Sequence, residues 1–148
     1  MTPRYVIVLL LVLLTACDSG SNVAGPAVVE LGSAEGCDAA LQPCRLSHEQ
    51  AEMTLELERE IRTLQPFHLQ LQITGNLQPR IQEVMVEFFM EGMDMGVNRY
   101  RLLRDGVSWQ GEITLPVCVA GRSDWRAVVE MHTPDGVYRA VYRFHSSG

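Results

Sequence analysis

Three of the seven methionines fall within six positions, in the run Met90-Glu91-Gly92-Met93-Asp94-Met95-Gly96-Val97-Asn98-Arg99. A thioether is a soft, neutral, polarisable donor that suits Cu(I) better than hard cations. Met90 continues the apolar phase of the residues before it and is expected in the core. The two glycines and the Asp-Met-Gly step read as a turn, which carries Met93 and Met95 out onto a loop. Residues two apart in an extended segment project the same way, so both thioethers can face one ion while Asp94 points aside. Two thioethers alone bind weakly, and Cys118 or His68 is the nearest candidate for a further ligand, a thiolate favouring Cu(I) strongly. The candidate metal set is therefore Met93, Met95, Cys118 and His68. The competing reading has no metal: methionine is an adaptable gap filler, and the turn is then an apolar contact on a protein partner.

The remaining cysteines speak to compartment. Residues 1–16 carry a basic start at Arg4 and an apolar core from Tyr5 to Leu14, then run into Leu14-Thr15-Ala16-Cys17. The apolar run is about half the ~20 residues that a spanning helix needs, which makes it a signal peptide. Its last four residues resemble a bacterial lipobox, in which Cys17 is lipidated and becomes the new N-terminus. Two or three acyl chains give stable anchoring where one is marginal. In similar lipoproteins an aspartate in the place of Asp18 marks retention at the inner membrane, so the expected site is its periplasmic face. Residues 17–36, rich in glycine and serine, read as lipidated cysteine and flexible tether, spanning roughly 25 Å as a coil and at most about 70 Å when straight. Val28-Val29 is an alternative short edge strand. Residues 37–148 then form the domain. Export implies an oxidising environment and a disulfide. Cys37 and Cys44, close in sequence around a Pro-containing segment, are the preferred pair, with Cys118 left over; pairing of Cys118 with either remains the alternative.

Beyond Cys17 the chain has 11 basic and 18 acidic side chains, a balance of −7, and every basic residue is arginine. The arginines are scattered rather than gathered, which argues against nucleic acid as a partner. No Gly-x-Ser-x-Gly elbow, phosphate loop, His-Glu-x-x-His or Cys-x-x-Cys occurs, and His132 to Asp135 and His145 to Ser147 read as a turn and a tail rather than a catalytic triad. The expectation is a protein that is not an enzyme.

After Arg45 apolar and polar residues alternate with period two, the signature of half-buried strands. Met53, Leu55 and Leu57 form one inward face; Phe67, Leu69, Leu71 and Ile73 a second; Val84, Val86, Phe88 and Met90 a third. Further strands are expected over 99–103, 107–115, 124–131 and 137–144. Asp105-Gly106 and Pro134-Asp135-Gly136 join neighbours as tight hairpins. Seven strands, and at most a helical turn over 47–51, predict an all-β, seven-stranded antiparallel immunoglobulin-like sandwich, with a closed barrel as the alternative. Trp109 and Trp125 lie inside it, each needing a partner for its indole N–H. Up-and-down strands would gather the Met93–Met95 turn, the Cys118 loop, His68 and His145 at one end, with Met131, His132 and His48 at the other. At their own positions, His68 reads as an outward strand residue and His145 as a tail.

The runs Met93 to Arg99, Asp105-Gly106-Val107-Ser108-Trp109-Gln110-Gly111, Leu115-Pro116-Val117-Cys118 and Gly121 to Trp125 together resemble the small periplasmic YtkA-like and FixH-like domains, over roughly residues 67–144. The resemblance implies an immunoglobulin-type sandwich and a role in copper supply or assembly of haem–copper oxidases, with the oxidase or its assembly factors as partner. A lipid anchor would stand where FixH has a transmembrane helix.

Overall fold

A computed structural model describes residues 25–147. The expected signal peptide, Cys17 and residues 18–24 of the expected tether lie outside the described residues. Nine strands make up the structure: β1 (Val28–Asp38), β2 (Cys44–His48), β3 (Ala51–Leu57), β4 (Pro66–Thr74), β5 (Glu83–Phe89), β6 (Arg99–Asp105), β7 (Ser108–Thr114), β8 (Asp124–Thr133) and β9 (Gly136–His145). They hydrogen-bond in the order β1-β9-β8-β5-β6-β7-β4-β3-β2, all antiparallel except β1, which runs parallel to β9. The seven-stranded antiparallel sandwich is thus corrected to a nine-stranded mixed sheet that curls into a near-barrel. The bend lies in β6, whose first half pairs with β5 (Val84↔Leu102 to Glu87↔Arg99) and whose second half pairs with β7 (Leu103↔Gln110 to Asp105↔Ser108). Gly111 on β7 leaves room for the Leu102 side chain at this bend, since a Cβ there would meet Leu102 Cδ2 at 2.9 Å and push it aside.

The alternating apolar residues fill the interior as their period demands: β4 buries Phe67, Leu69, Leu71 and Ile73, and β8 buries Trp125, Ala127, Val129 and Met131. Both predicted hairpins form, β6–β7 around Gly106 and β8–β9 through Pro134-Asp135. The segment over 47–51 is not helical; it is the β2–β3 hairpin, with His48 opposite Ala51.

The stretch read as tether contains β1. Its burial does not alternate, because register shifts fall between Glu30 and Gly32 and between Ser33 and Asp38. Only Leu31 and Ala34 within it are buried hydrophobics, so a search for period two passes over it. β1 is held instead by the β9 ladder and by charge: Arg139 on β9 reaches Glu30 at 2.9 Å and Glu130 on β8 at 2.9 Å, and Glu130 also pairs with Arg99 on β6. The hydrogen bond to Glu130 is the largest cause of the raised Arg139 pKa. Gly136 lets the start of β1 approach, because a Cβ there would lie 2.4 Å from the Ala27 carbonyl oxygen, which accepts the Val137 N–H at 2.8 Å.

The two free edges of the sheet, β1 and β2, are joined by the expected disulfide, Cys37–Cys44, across a Cα–Cα distance of 5.8 Å. It ties the seam of the near-barrel as well as closing a short loop. Replacing both cysteines with alanine is expected to lower the unfolding free energy by about 2.5 kcal/mol in the chain-entropy account; an unchanged denaturant midpoint would contradict this.

Both tryptophans are buried. Trp125 donates its indole N–H to Ser146 Oγ at 3.3 Å, whereas Trp109 finds no hydrogen-bond partner among the described residues and is covered by the Arg104 guanidinium, 5.4 Å from its ring centroid. Tyr142 is fully buried with its hydroxyl also without a partner among the described residues, and burial pushes its pKa upward. An unmatched buried hydroxyl is a cost, so Tyr142→Phe should be neutral to stabilising by about 1 kcal/mol in thermal unfolding. A clear loss of stability would reveal a hydrogen bond that this hydroxyl does not make here.

Candidate functional site

Strand direction alone places four loops at one end of the near-barrel: residues 39–43, 58–65, 90–98 and 115–123. The hairpins β2–β3, β6–β7 and β8–β9 lie at the other, as does the start of β1. The Met-rich turn, Cys118, His68 and His145 therefore share an end, as the alternation of strands implied, and Met131, His132 and His48 lie opposite.

The Met-rich loop leaves β5 through Met90, which is buried. The Met93 N–H donates to the Met90 carbonyl at 3.2 Å, a turn that needs the positive φ of 75° at Gly92. Asp94 Oδ1 then accepts the Gly96 N–H at 3.0 Å, a local side-chain turn. In consequence Asp94 is exposed, while Met93 and Met95 both pack half-buried against the core. The Cys118 loop is closed by the Gly121 N–H donating to the Cys118 carbonyl at 3.0 Å. Cys118 is a free, buried thiol, and it donates to the Met93 thioether sulfur at 3.4 Å.

One arginine bolts the two loops together. Arg122 donates to the Glu91 carbonyl at 2.9 Å through Nη1, and to Asp124 Oδ1 at 2.9 Å through Nε, with Nη2 completing a fork on the same carboxylate. Arg126 also pairs with the Glu91 carboxylate. The Arg122 hydrogen bond is the first cause that brings the Asp124 pKa down to about 2, and the same bond raises that of Arg122. Neither Arg122 nor Glu91 stood out in the sequence; the available signal was Arg122 two residues before Asp124, a spacing that lets one side chain fork onto the other where β8 begins.

The two candidate histidines are not brought to the sulfurs. His68 is exposed on β4 between the inward Phe67 and Leu69, opposite Glu112, so its ring leaves the sheet on the face away from the core. His145, at the end of β9, holds its Nδ1 2.7 Å from Asp38 Oδ2 on β1. It is held by this contact at the end of a strand and is not a frayed tail. A cleft of about 290 Å³ lies beside it, lined by Trp125 and Phe144 as well as by charged residues that include Glu91, Asp124 and Arg126. Among the described residues no three His, Cys, Asp or Glu side chains group as ligands for a metal ion. The donors that do meet are sulfur.

No family model matches the chain, so the YtkA-like and FixH-like resemblance rests on the residue runs alone, and no curated protein matches it either. Two solved structures are similar. The crystal structure of an engineered protein aligns over 74% of this chain with a TM-score of 0.45 and 16% identity, and the alignment covers 21% of that protein, so the chain spans about a fifth of its length. A conjugative transposon lipoprotein from Bacteroides eggerthii DSM 20697 aligns over 62% of this chain and 95% of its own, with a TM-score of 0.35 and 16% identity. Likenesses this weak carry neither fold nor function across to this chain.

Proposed function

We propose that this chain is a lipid-anchored protein of the periplasmic face of a bacterial inner membrane that takes Cu(I) as cargo on Met93 and Cys118, with Met95 beside them, and supplies it to a haem–copper oxidase or its assembly factors. The observation that carries the reading is the 3.4 Å approach of the Cys118 and Met93 sulfurs across two different loops. A thiol and thioethers form a donor set that selects a soft cation. Two sulfurs sharing a metal at bonds of about 2.3 Å, the thiolate length known for zinc, sit roughly 3.8 Å apart at a tetrahedral angle. The pair need part by only a few tenths of an ångström to admit an ion. On binding, the Cys118 proton is released to water and its thiolate enters the site. His68 is left out of the ligand set because of its outward placement. The reading assigns no catalytic residue and no nucleic-acid contact.

Competition titration of Cu(I) between the reduced domain and a chromophoric chelator tests the cargo. The anchor has its own test: Cys17→Ser is expected to move the protein from the membrane to the soluble or unprocessed pool, and unchanged membrane attachment of the processed variant would contradict it.

A further inference from the structure

Eight large hydrophobic residues are exposed among those described, and five of them, Leu41, Leu64, Val97, Val117 and Val119, sit on the four loops of the sulfur end. Single exposed apolar side chains are ordinary, but a group at one end of a small domain marks an interaction site. Val97 and Val119 are 90% and 96% exposed, and they flank the sulfur donors in sequence, Val97 two residues after Met95 and Val119 next to Cys118. Three of the loops that carry these residues are tied together: the Leu64 N–H donates to the Leu115 carbonyl at 2.9 Å, joining that loop to the Cys118 loop, and Arg122 joins the Cys118 loop to the Met-rich loop.

The position of β1 indicates what covers this end. Residues 18–27 alone separate Cys17 from β1, and ten residues reach at most about 35 Å. β1 starts at the hairpin end, while β9, ten residues long, spans about 34 Å at ~3.4 Å per residue. An anchor at Cys17 therefore lets the sulfur end face its own membrane only when those ten residues are pulled straight along the whole length of the domain; at any shorter extension the hairpin end is the nearer one. The loops of the sulfur end carry Glu58, Glu60, Glu91 and Asp94 against Arg59, Arg62 and Arg122, so they lack the basic excess that an anionic lipid surface attracts. A second copy docked end to end would set the two anchored ends some 70 Å apart at ~3.4 Å per residue, on opposite sides of the pair.

We infer that Val97, Val117 and Val119 form the docking surface for a separate protein, one that presents an apolar patch and its own thiolate or thioether ligands away from the anchoring membrane. This rests on the Cu(I) reading for the purpose of the contact. Transfer is then ligand exchange: a sulfur of the partner bonds to Cu(I) as the Met93 and Cys118 bonds break, copper stays Cu(I), and the released Cys118 thiolate takes a proton from water. The apolar contact holds the two sulfur sets together while water is excluded.

The test uses the full lipidated chain in its host membrane, with a photo-crosslinking benzoyl-phenylalanine at position 97, 117 or 119, and at 103 or 107 as exposed apolar controls at the other end. One protein is expected to cross-link from all three loop positions and from neither control. When purified, that protein should bind the domain at least tenfold more weakly after Val97→Asp with Val119→Asp, at unchanged melting temperature and unchanged Cu(I) affinity. Absence of cross-linking, equal cross-linking from 103 and 107, adducts with phospholipid or with a second copy, or undiminished binding by the double variant would each overturn the proposal. Partner binding by a wild-type domain that takes no Cu(I) in titration sinks the cargo reading and leaves the docking surface standing; wild-type Cu(I) binding with no cross-linked partner does the reverse.

Discussion

Replacing Phe88 with alanine is expected to lower the unfolding free energy by about 3–5 kcal/mol, the range for truncating a fully buried aromatic side chain. Phe88 is fully buried on β5, and its ring meets Phe67 of β4, Tyr100 of β6 and Phe144 of β9 edge-on, with centroids 6.3, 6.0 and 6.0 Å away. Phe144 in turn stacks on Trp125 at 6.5 Å. Such edge contacts add about 0.5–1.5 kcal/mol each beyond area burial. Four strands from both halves of the bent sheet converge on this one ring, so the cavity cannot close by a shift of one element. Phe88 also accepts the exit of the Met-rich loop, its N–H donating to the Asn98 carbonyl at 2.9 Å. A denaturant midpoint lowered at unchanged m is the expected signature, and a cost below about 1 kcal/mol would contradict the central place given to this ring.

The interior was legible in the sequence because it obeys period two. The inward residues of β3, β4, β5, β8 and β9 are those that alternation selects, and both hairpins fall where Asp105-Gly106 and Pro134-Asp135-Gly136 place them. β1 was hidden for a physical reason: an edge strand with two register irregularities buries little, and Gly32 and Gly36 take positive φ where a regular strand would not. Without β1 and β2 the count falls to seven, and a curled mixed sheet looks like an antiparallel sandwich. Residues 28–36 of the stretch expected to be tether belong to β1 instead. At the sulfur end, the shared pole of Met93, Met95 and Cys118 followed from strand direction, and the Cys37–Cys44 pairing from sequence closeness. The outward face of His68 was also legible, since it alternates with Phe67 and Leu69. The Arg122 bolt was not, because it depends on where two loops meet rather than on any local pattern.

The second large effect concerns the sulfur pair. Replacing Met93 and Met95 with leucine keeps their apolar bulk against the core while removing both thioethers, so packing should change little. Cys118→Ala removes the one thiolate available to the site and should cost roughly a hundredfold or more in Cu(I) affinity, beyond the ~10–100-fold typical of changes outside the ligand shell. His68→Ala should leave affinity unchanged, because its ring lies on the other face of β4 from the core against which the sulfurs pack. The most direct measurement is anaerobic Cu(I) competition titration of the domain lacking residues 1–17, with Cys118 reduced, for wild type beside the Met93→Leu/Met95→Leu variant. The account predicts at least a tenfold loss of Cu(I) affinity in the variant at nearly unchanged melting temperature; wild-type binding no tighter than that of the variant would contradict it.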